Sequence, residues 1–317
     1  MNTIAIAGVG LIGGSFALAL RKAGFSGRII GVSSASTLSK ALALRVIDEG
    51  LPLADAAAHA DLVYLAQPIQ TVLETIGSLD RHVRPGTVIT DAGSTKAMIC
   101  ERASDAIQRG RFVGGHPMAG KESRGVEVAD ADLFRGRPYV LTAREPELEK
   151  WIEAIGARLV FLDPAEHDRL VALVSHLPQL LSTALAGVIG DQPGAAQVAG
   201  PAASDLTRLA FSPYDIWRDI FSTNAVAIDA ALDDVRSGRT LPVPEHLRDA
   251  SYQSAKSLGH GVGYQYAHDG EGHFVPQNYL TETRRYYEPT EQGVEKKIKE
   301  RLDKWRALTA EANPAQR

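Results

Sequence analysis

The run Ile4-Ala5-Ile6-Ala7-Gly8-Val9-Gly10-Leu11-Ile12-Gly13-Gly14-Ser15 decides the fold of this chain. Thr3–Ala7 reads as a short buried strand, and a helical pattern over Gly13–Ala23 follows it. Between them Gly8, Gly10 and Gly13 stand in the spacing G-x-G-x-x-G. The first glycine permits a tight turn, the second lets backbone approach a pyrophosphate, and the third lets the helix pack closely on the strand. The helix N-terminus adds free N–H groups and the positive end of its dipole. The spacing alone is a weak signal; set between a strand and a helix, it points to a dinucleotide site. Cofactor contacts are expected from Gly8, Gly10, Leu11, Ile12 and Gly13, and from Gln67 and Pro68 after the strand Leu62–Ala66.

Outward from that loop, β-branched runs alternate with helical patterns. Strands are expected at Thr3–Ala7, Arg28–Val32, Leu62–Ala66, Thr87–Thr90 and Arg111–Gly114, with helices at Gly13–Ala23, Ala35–Glu49, Gln70–Leu79 and Thr95–Arg109. Tyr139–Thr142 and Arg158–Phe161 can add strands around a helix at Glu147–Ile155. Such alternation predicts an α/β fold, a Rossmann doubly wound parallel sheet over residues 1–163. From Pro164 the character turns all-helical, with Ala165–Ile189, Ala195–Ala210 and Tyr214–Asp234 as candidate helices. This second domain is expected over 164–235, and a C-terminal appendage over 236–317. Six of the nine tyrosines fall between Tyr252 and Tyr287, and a charged helix, Glu291–Leu308, follows.

Composition narrows the class. A hydrophobic fraction of 44% over 317 residues is that of a globular chain, and a formal charge of −4 gives no case for nucleic-acid binding. Cys100 is the only cysteine, so no intramolecular disulfide can form. The glycine-broken apolar start lacks a basic n-region, and no run of roughly 18 apolar residues stands out. The expectation is a soluble cytoplasmic protein without membrane contact.

The acid that binds the ribose 2′-hydroxyl of NAD at the end of the second strand is missing. Ser33 and Ser34 occupy that place, and small hydroxyls accommodate a 2′-phosphate, so the reading leans towards NADP over NAD. The plainer reading is that these serines cap the next helix.

Two segments place chemistry at the carboxyl edge of the sheet: Asp91-Ala92-Gly93-Ser94-Thr95-Lys96, and Gly114-Gly115-His116-Pro117-Met118-Ala119-Gly120, with His116 expected on a loop. The helical part adds Ser175-His176-Leu177-Pro178-Gln179, where Pro178 must kink or restart a helix, and Asp205-Leu206-Thr207-Arg208-Leu209-Ala210. His176 could equally be a core histidine, and Arg208 could pair with Asp205 or Asp219. Trp217 and Asn224 read as packing residues, and His59, His82 and His167 as solvated surface. His260, His268 and His273 lack metal-ligand spacing, so no metal is expected.

In this order and spacing, from residue 1 to about 228, these motifs together with Ile216-Trp217-Arg218-Asp219 resemble the prephenate and arogenate dehydrogenases of tyrosine biosynthesis. The resemblance implies oxidative decarboxylation of a cyclohexadienol, with hydride passing to nicotinamide. It implies His116 as the acceptor of the substrate's hydroxyl proton, a task that suits imidazole. Ser94 would bond the same hydroxyl or orient the histidine, and Arg208 would grip a carboxylate as a bidentate fork. His176 and Gln179 would line the substrate wall; relatives often carry a second histidine at the Gln179 position, and glutamine cannot carry charge. A homo-oligomer is expected.

The tail follows another pattern. Leu258-Gly259-His260-Gly261, Tyr264-Gln265-Tyr266, Phe274-Val275-Pro276-Gln277, Tyr286-Tyr287-Glu288-Pro289 and Glu295-Lys296-Lys297-Ile298-Lys299-Glu300-Arg301 belong to it. Over about 229–308 the chain resembles the C-terminal, oligomerising region of replication-associated recombination AAA+ ATPases. That family's P-loop is absent from the chain, so no ATP hydrolysis follows. The join falls between Asn224 and Arg236, where a helix such as Ala225–Val235 fits either family. A natural fusion, an error in the gene model and an artificial hybrid would all read this way. The resemblance implies that later helices of the dehydrogenase family, which help form its dimer and close its substrate site, are missing or replaced here. Two other readings stand beside the dehydrogenase: another two-domain Rossmann reductase, and an oligomerising scaffold with an idle front half.

Overall fold

The computed structural model describes residues 1–121, 123–237, 275 and 293–312. They fall into two compact units, Met1–Leu232 and Asp233–Arg317. In the first unit six parallel strands form one sheet: β1 (Thr3–Ala7), β2 (Arg28–Val32), β3 (Glu49–Gly50), β4 (Leu62–Leu65), β5 (Val88–Asp91) and β6 (Arg111–Val113). Their order is β3-β2-β1-β4-β5-β6. The order reverses between β1 and β4, which opens a crevice at the carboxyl ends of those strands. Both faces are covered, as an all-parallel sheet requires. The first connection is α1 (Leu11–Lys22), whose Phe16 stacks on Tyr64 of β4 with ring centroids 4.1 Å apart. Both rings are fully buried, and each contributes on the order of 2 kcal/mol through area removed from water.

The expected helix Ala35–Glu49 is shorter in the structure. The helix α2 (Ala35–Ala43) ends where Arg45 takes a left-handed φ of 55° and the Val46 N–H returns to the Ala41 carbonyl. The chain then turns Val46 and Ile47 into the core, ahead of β3. Two further helices are α3 (Leu53–His59), which the sequence pattern did not reveal, and α4 (Ile69–Leu79). The last helix between strands of this sheet, α5 (Ala97–Ala106), runs from β5 to β6.

A second, three-stranded sheet takes up the later strands. It holds β7 (Gly115–Pro117), β8 (Pro138–Leu141) and β9 (Arg158–Phe161), in that order, with α6 (Pro146–Ala154) between β8 and β9. His116 therefore lies in a strand, paired with Val140, and not on a loop. Its flanking glycines and proline conceal a strand of three residues from any reading based on propensity. The Tyr139 hydroxyl donates to the Tyr64 hydroxyl at 3.2 Å, so a buried pair of phenols ties the two sheets together.

The helical part begins with α7 (Pro164–Val171), capped by the Asp163 carboxylate. One π-turn, Ala172–His176, leads into α8 (Leu177–Gly190), so Pro178 sits where the ladder is already interrupted. The continuous stretch Pro164–Gly190 is long and apolar enough to cross a membrane by length and composition, a test that core helices of soluble proteins also pass. Short helices α9 (Ala195–Val198) and α10 (Pro201–Thr207) and a 3-10 turn, Arg208–Phe211, replace the expected Ala195–Ala210 helix. Gly200 and Pro201 break that run, because proline fits only the first turn of a helix. The expected Tyr214–Asp234 helix is divided at Asn224 into α11 (Tyr214–Thr223) and α12 (Ala225–Arg236). In the second unit, α13 (Gly293–Ala312) corresponds to the expected charged helix, and Arg301 lies over the Trp305 ring at 5.0 Å. The remaining tail motifs, including His260, His268 and His273, lie outside the described residues.

Candidate active site

The glycine loop has the geometry that its spacing requires. Gly8 has φ +95°, and a Cβ there would stand 2.5 Å from the Ala66 carbonyl. A Cβ on Gly13 would stand 2.1 Å from the Gly8 carbonyl, so helix and loop touch through backbone. Gly10 is different: nothing lies within 4 Å of its Cβ position. It caps α1 without a side-chain hydrogen bond, leaving the helix N-terminus open towards that space. This is the cradle that a pyrophosphate fits.

The cradle opens into a cleft of about 300 Å³ at the crevice between β1 and β4. Gly10, Leu11, Ile12, Gln67, Pro68 and Ser94 line it, together with α11 and with Lys121, Ser123, Arg124 and Gly125. The Gln67 side-chain oxygen accepts from the Thr75 hydroxyl at 3.0 Å, which fixes that wall. Arg124 forks onto the Asp215 carboxylate at 2.9 and 3.2 Å, joining the loop to α11 at the cleft. Ser33 and Ser34 are exposed beyond β2, and Ser34 caps α2 by accepting from the Thr37 N–H at 3.3 Å. The capping role is thus present, and it leaves Ser33 without a hydrogen bond among the described residues.

One buried carboxylate organises the next layer. Asp91, at the end of β5, accepts from the Gly93 N–H at 2.8 Å and the Gly115 N–H at 3.1 Å, and pairs with the fully buried Lys96 ammonium. Gly93 precedes Ser94 and Gly115 precedes His116, so one side chain sets both segments. Sequence reading passed over Asp91 and Lys96 as functional residues, although an Asp-x-Gly turn after a strand is a visible signal.

His116 is 8% exposed. Its Nδ1 meets Nε2 of His167 at 2.8 Å, and Nδ1 of His167 donates to the Asp168 carboxylate at 2.7 Å. His167 was expected on the surface; it is fully buried, because it faces β7 and not solvent. The Asp168 carboxylate also accepts from the Lys96 and Ala97 N–H groups, at 2.7 and 2.9 Å, at the N-terminus of α5. Burial, reinforced by His167, Lys96 and His176 nearby, holds the His116 imidazole well below the usual histidine range, so it is neutral at physiological pH. His176 is also buried, which takes its imidazole down to about 4. Its Nδ1 accepts from the Asn224 amide at 3.0 Å, and the same amide donates to the Asp168 carbonyl.

Gln179 is 2% exposed and donates to Thr183 Oγ1 and the Leu209 carbonyl, at 3.1 and 2.8 Å. Arg208 lies on the surface of the helical part and does not line the cleft. Asp219, one of its candidate partners, pairs with Arg218 at 2.9 Å. Cys100 on α5 is a weak partner of Thr142, and burial pushes its thiol up to about 11. Among the described residues no histidine, cysteine and carboxylate cluster has metal-binding geometry.

A doubly wound parallel sheet with a glycine-lined cleft at its switch point defines a dinucleotide-binding Rossmann protein, here followed by helices that wall the cleft. Within that class, residues 16–161 match the nucleotide-binding domain of prephenate dehydrogenase and residues 163–240 its dimerization domain. The prephenate dehydrogenase of Lactococcus lactis is 36% identical over 231 residues, covering 71% of this chain and 65% of that protein. The crystal structure of prephenate dehydrogenase from Aquifex aeolicus with hydroxyphenyl propionate and NAD+ superposes with a TM-score of 0.71 at 32% identity, covering 75% of this chain and 88% of that one. The chain belongs to the prephenate dehydrogenase family. Residues 221–306 match a different model, the C terminal of the MgsA AAA+ ATPase. There the replication-associated recombination protein A of Coxiella burnetii is 45% identical over 92 residues, 27% of this chain and 21% of that protein. The chain spans just under two thirds of its Lactococcus relative, and the remainder carries a fused segment of the second family.

Proposed function

We propose that this protein oxidatively decarboxylates prephenate or arogenate, as a step of tyrosine biosynthesis, using NADP or NAD. The observation that carries the reading is Asp91, whose single carboxylate ties the segment of Ser94, at the cleft, to the strand of His116. Bound nicotinamide would supply the hydride acceptor. The protein's own residues would then do little chemistry. His116 Nε2, without a hydrogen bond among the described residues, takes the proton of the ring hydroxyl, and Ser94 bonds the same oxygen. Loss of carbon dioxide and aromatisation make the step irreversible. His176 and Gln179, buried in the helical part, are proposed for the substrate's side-chain end.

The exposed Ser33 and Ser34, with no carboxylate at the end of β2, support a 2′-phosphate, hence NADP ahead of NAD. Purified protein given prephenate or arogenate with each cofactor, with reduced cofactor followed by absorbance, tests the reading. Turnover with either substrate is the expected result, and none with either would overturn it. His116→Asn is expected to lower kcat by about 10²–10⁴-fold while leaving cofactor Kd within a few-fold. Equal losses in both would remove His116 from the chemistry.

A further inference from the structure

Beyond the proton acceptor itself, the chain behind His116 has a direction that the hydrogen-bonding capacities of its members dictate. The Asp168 carboxylate can only accept, so the proton of the His167–Asp168 bond sits on His167 Nδ1. A neutral His167 then presents a bare Nε2 to His116. That nitrogen can only accept, so His116 must donate from Nδ1. The consequence for His116 is a bare Nε2, the form that a base requires.

We propose that His167 and Asp168 are positioning residues that fix His116 in its Nδ1-protonated tautomer and hold the imidazolium once Nε2 has taken a proton. This assignment rests on the reading of His116 as the proton acceptor. The step balances simply: the substrate O–H bond breaks, a His116 Nε2–H bond forms, and the positive charge is shared towards His167 Nε2. No further proton need move. The charges in the buried cluster suit this step. The Asp91–Lys96 pair is neutral overall, so Asp168 leaves one net negative charge before the transfer and none after it. The Lys96 and Ala97 N–H groups orient the Asp168 carboxylate towards His167. A doubly protonated His167 would reverse the chain by donating to His116 Nδ1, and the tautomer spectrum separates the two arrangements.

Imidazole 15N NMR of the full chain with NAD+ present reads the tautomers directly, with His116→Asn identifying the His116 signals. The expected spectrum has His116 protonated at Nδ1 and bare at Nε2, with His167 protonated at Nδ1. A His116 protonated at Nε2 would overturn the proposal. In kinetics, His167→Phe removes the acceptor and is expected to lower kcat about 100-fold with substrate KM changed less than threefold. His167→Gln, whose amide oxygen can accept from His116 Nδ1, should recover at least about tenfold of that loss. Wild-type kcat in both folded variants would overturn the proposal. If His167→Phe does not fold, His167→Gln and the wild-type spectrum still decide. Should neither prephenate nor arogenate be oxidised, the enzymatic reading fails, and the tautomer spectrum alone judges the positioning chain.

Discussion

His176 shows how a buried neutral imidazole ties stability to acidity. Burial lowers its pKa from 6.5 to about 4, so the unfolded chain binds a proton more readily than the folded one between those values. Stability from this group is therefore complete above pH 6.5 and falls as pH drops towards 4, by about 3 kcal/mol in total. Below pH 4 it contributes no further loss. Urea unfolding of the wild type and of His176→Gln between pH 7 and 4 measures this directly; the variant should lose the smaller share of its stability on acidification. His116 is depressed for the same main reason, so its contribution has the same sign.

At the scale of elements, the three loop glycines separate folding from binding. Gly13→Ala presses a Cβ against the Gly8 backbone, which cannot yield as a side chain would, and is expected to destabilise the protein by several kcal/mol, about as much as a poorly accommodated core change. Gly10→Ala meets open space and should leave stability within about 1 kcal/mol, while raising the dinucleotide Kd at least tenfold. Thermal unfolding and cofactor titration of the two variants give this crossed pattern, and parallel losses would refute it. These glycines were legible because strand, turn and helix lie side by side in the chain, each with its own periodicity. The positions of Ser94, Gln67 and Pro68 along the cleft were legible for the same reason, since each follows a readable strand. His167 was not. It follows Glu166 and precedes Asp168 in a run that reads as a charged helix face, and it is buried by a partner 51 residues earlier. The strand of His116 was hidden likewise, because two glycines and a proline carry no strand propensity, and pairing with β8 imposes the conformation.

For the molecule as a whole, the helical part carries apolar side chains that remain exposed: Val198 at 86%, Phe211 at 84% and Val226 at 85%. They lie in the segment that matches a dimerization domain. Large side chains of this kind in solvent favour self-association. The full chain is expected to be a dimer, and Phe211→Asp combined with Val198→Asp should shift it to monomer in light-scattering mass measurements, with unchanged thermal unfolding of the front sheet. A dimer indifferent to both changes would place the contact elsewhere.

The two family matches overlap over residues 221–240, a stretch that contains the whole of α12. Proteins assembled from parts usually meet in an exposed linker, where a protease finds extended backbone. Here the backbone of Ala225–Arg236 is a helix, its N–H groups engaged in turn after turn, and a protease needs several residues unwound before it can cut. Limited digestion should therefore leave residues 225–236 intact and release fragments whose ends fall outside them, as mass spectrometry of the products would show. The place where two ancestries join would then be among the stretches of this chain that resist being taken apart.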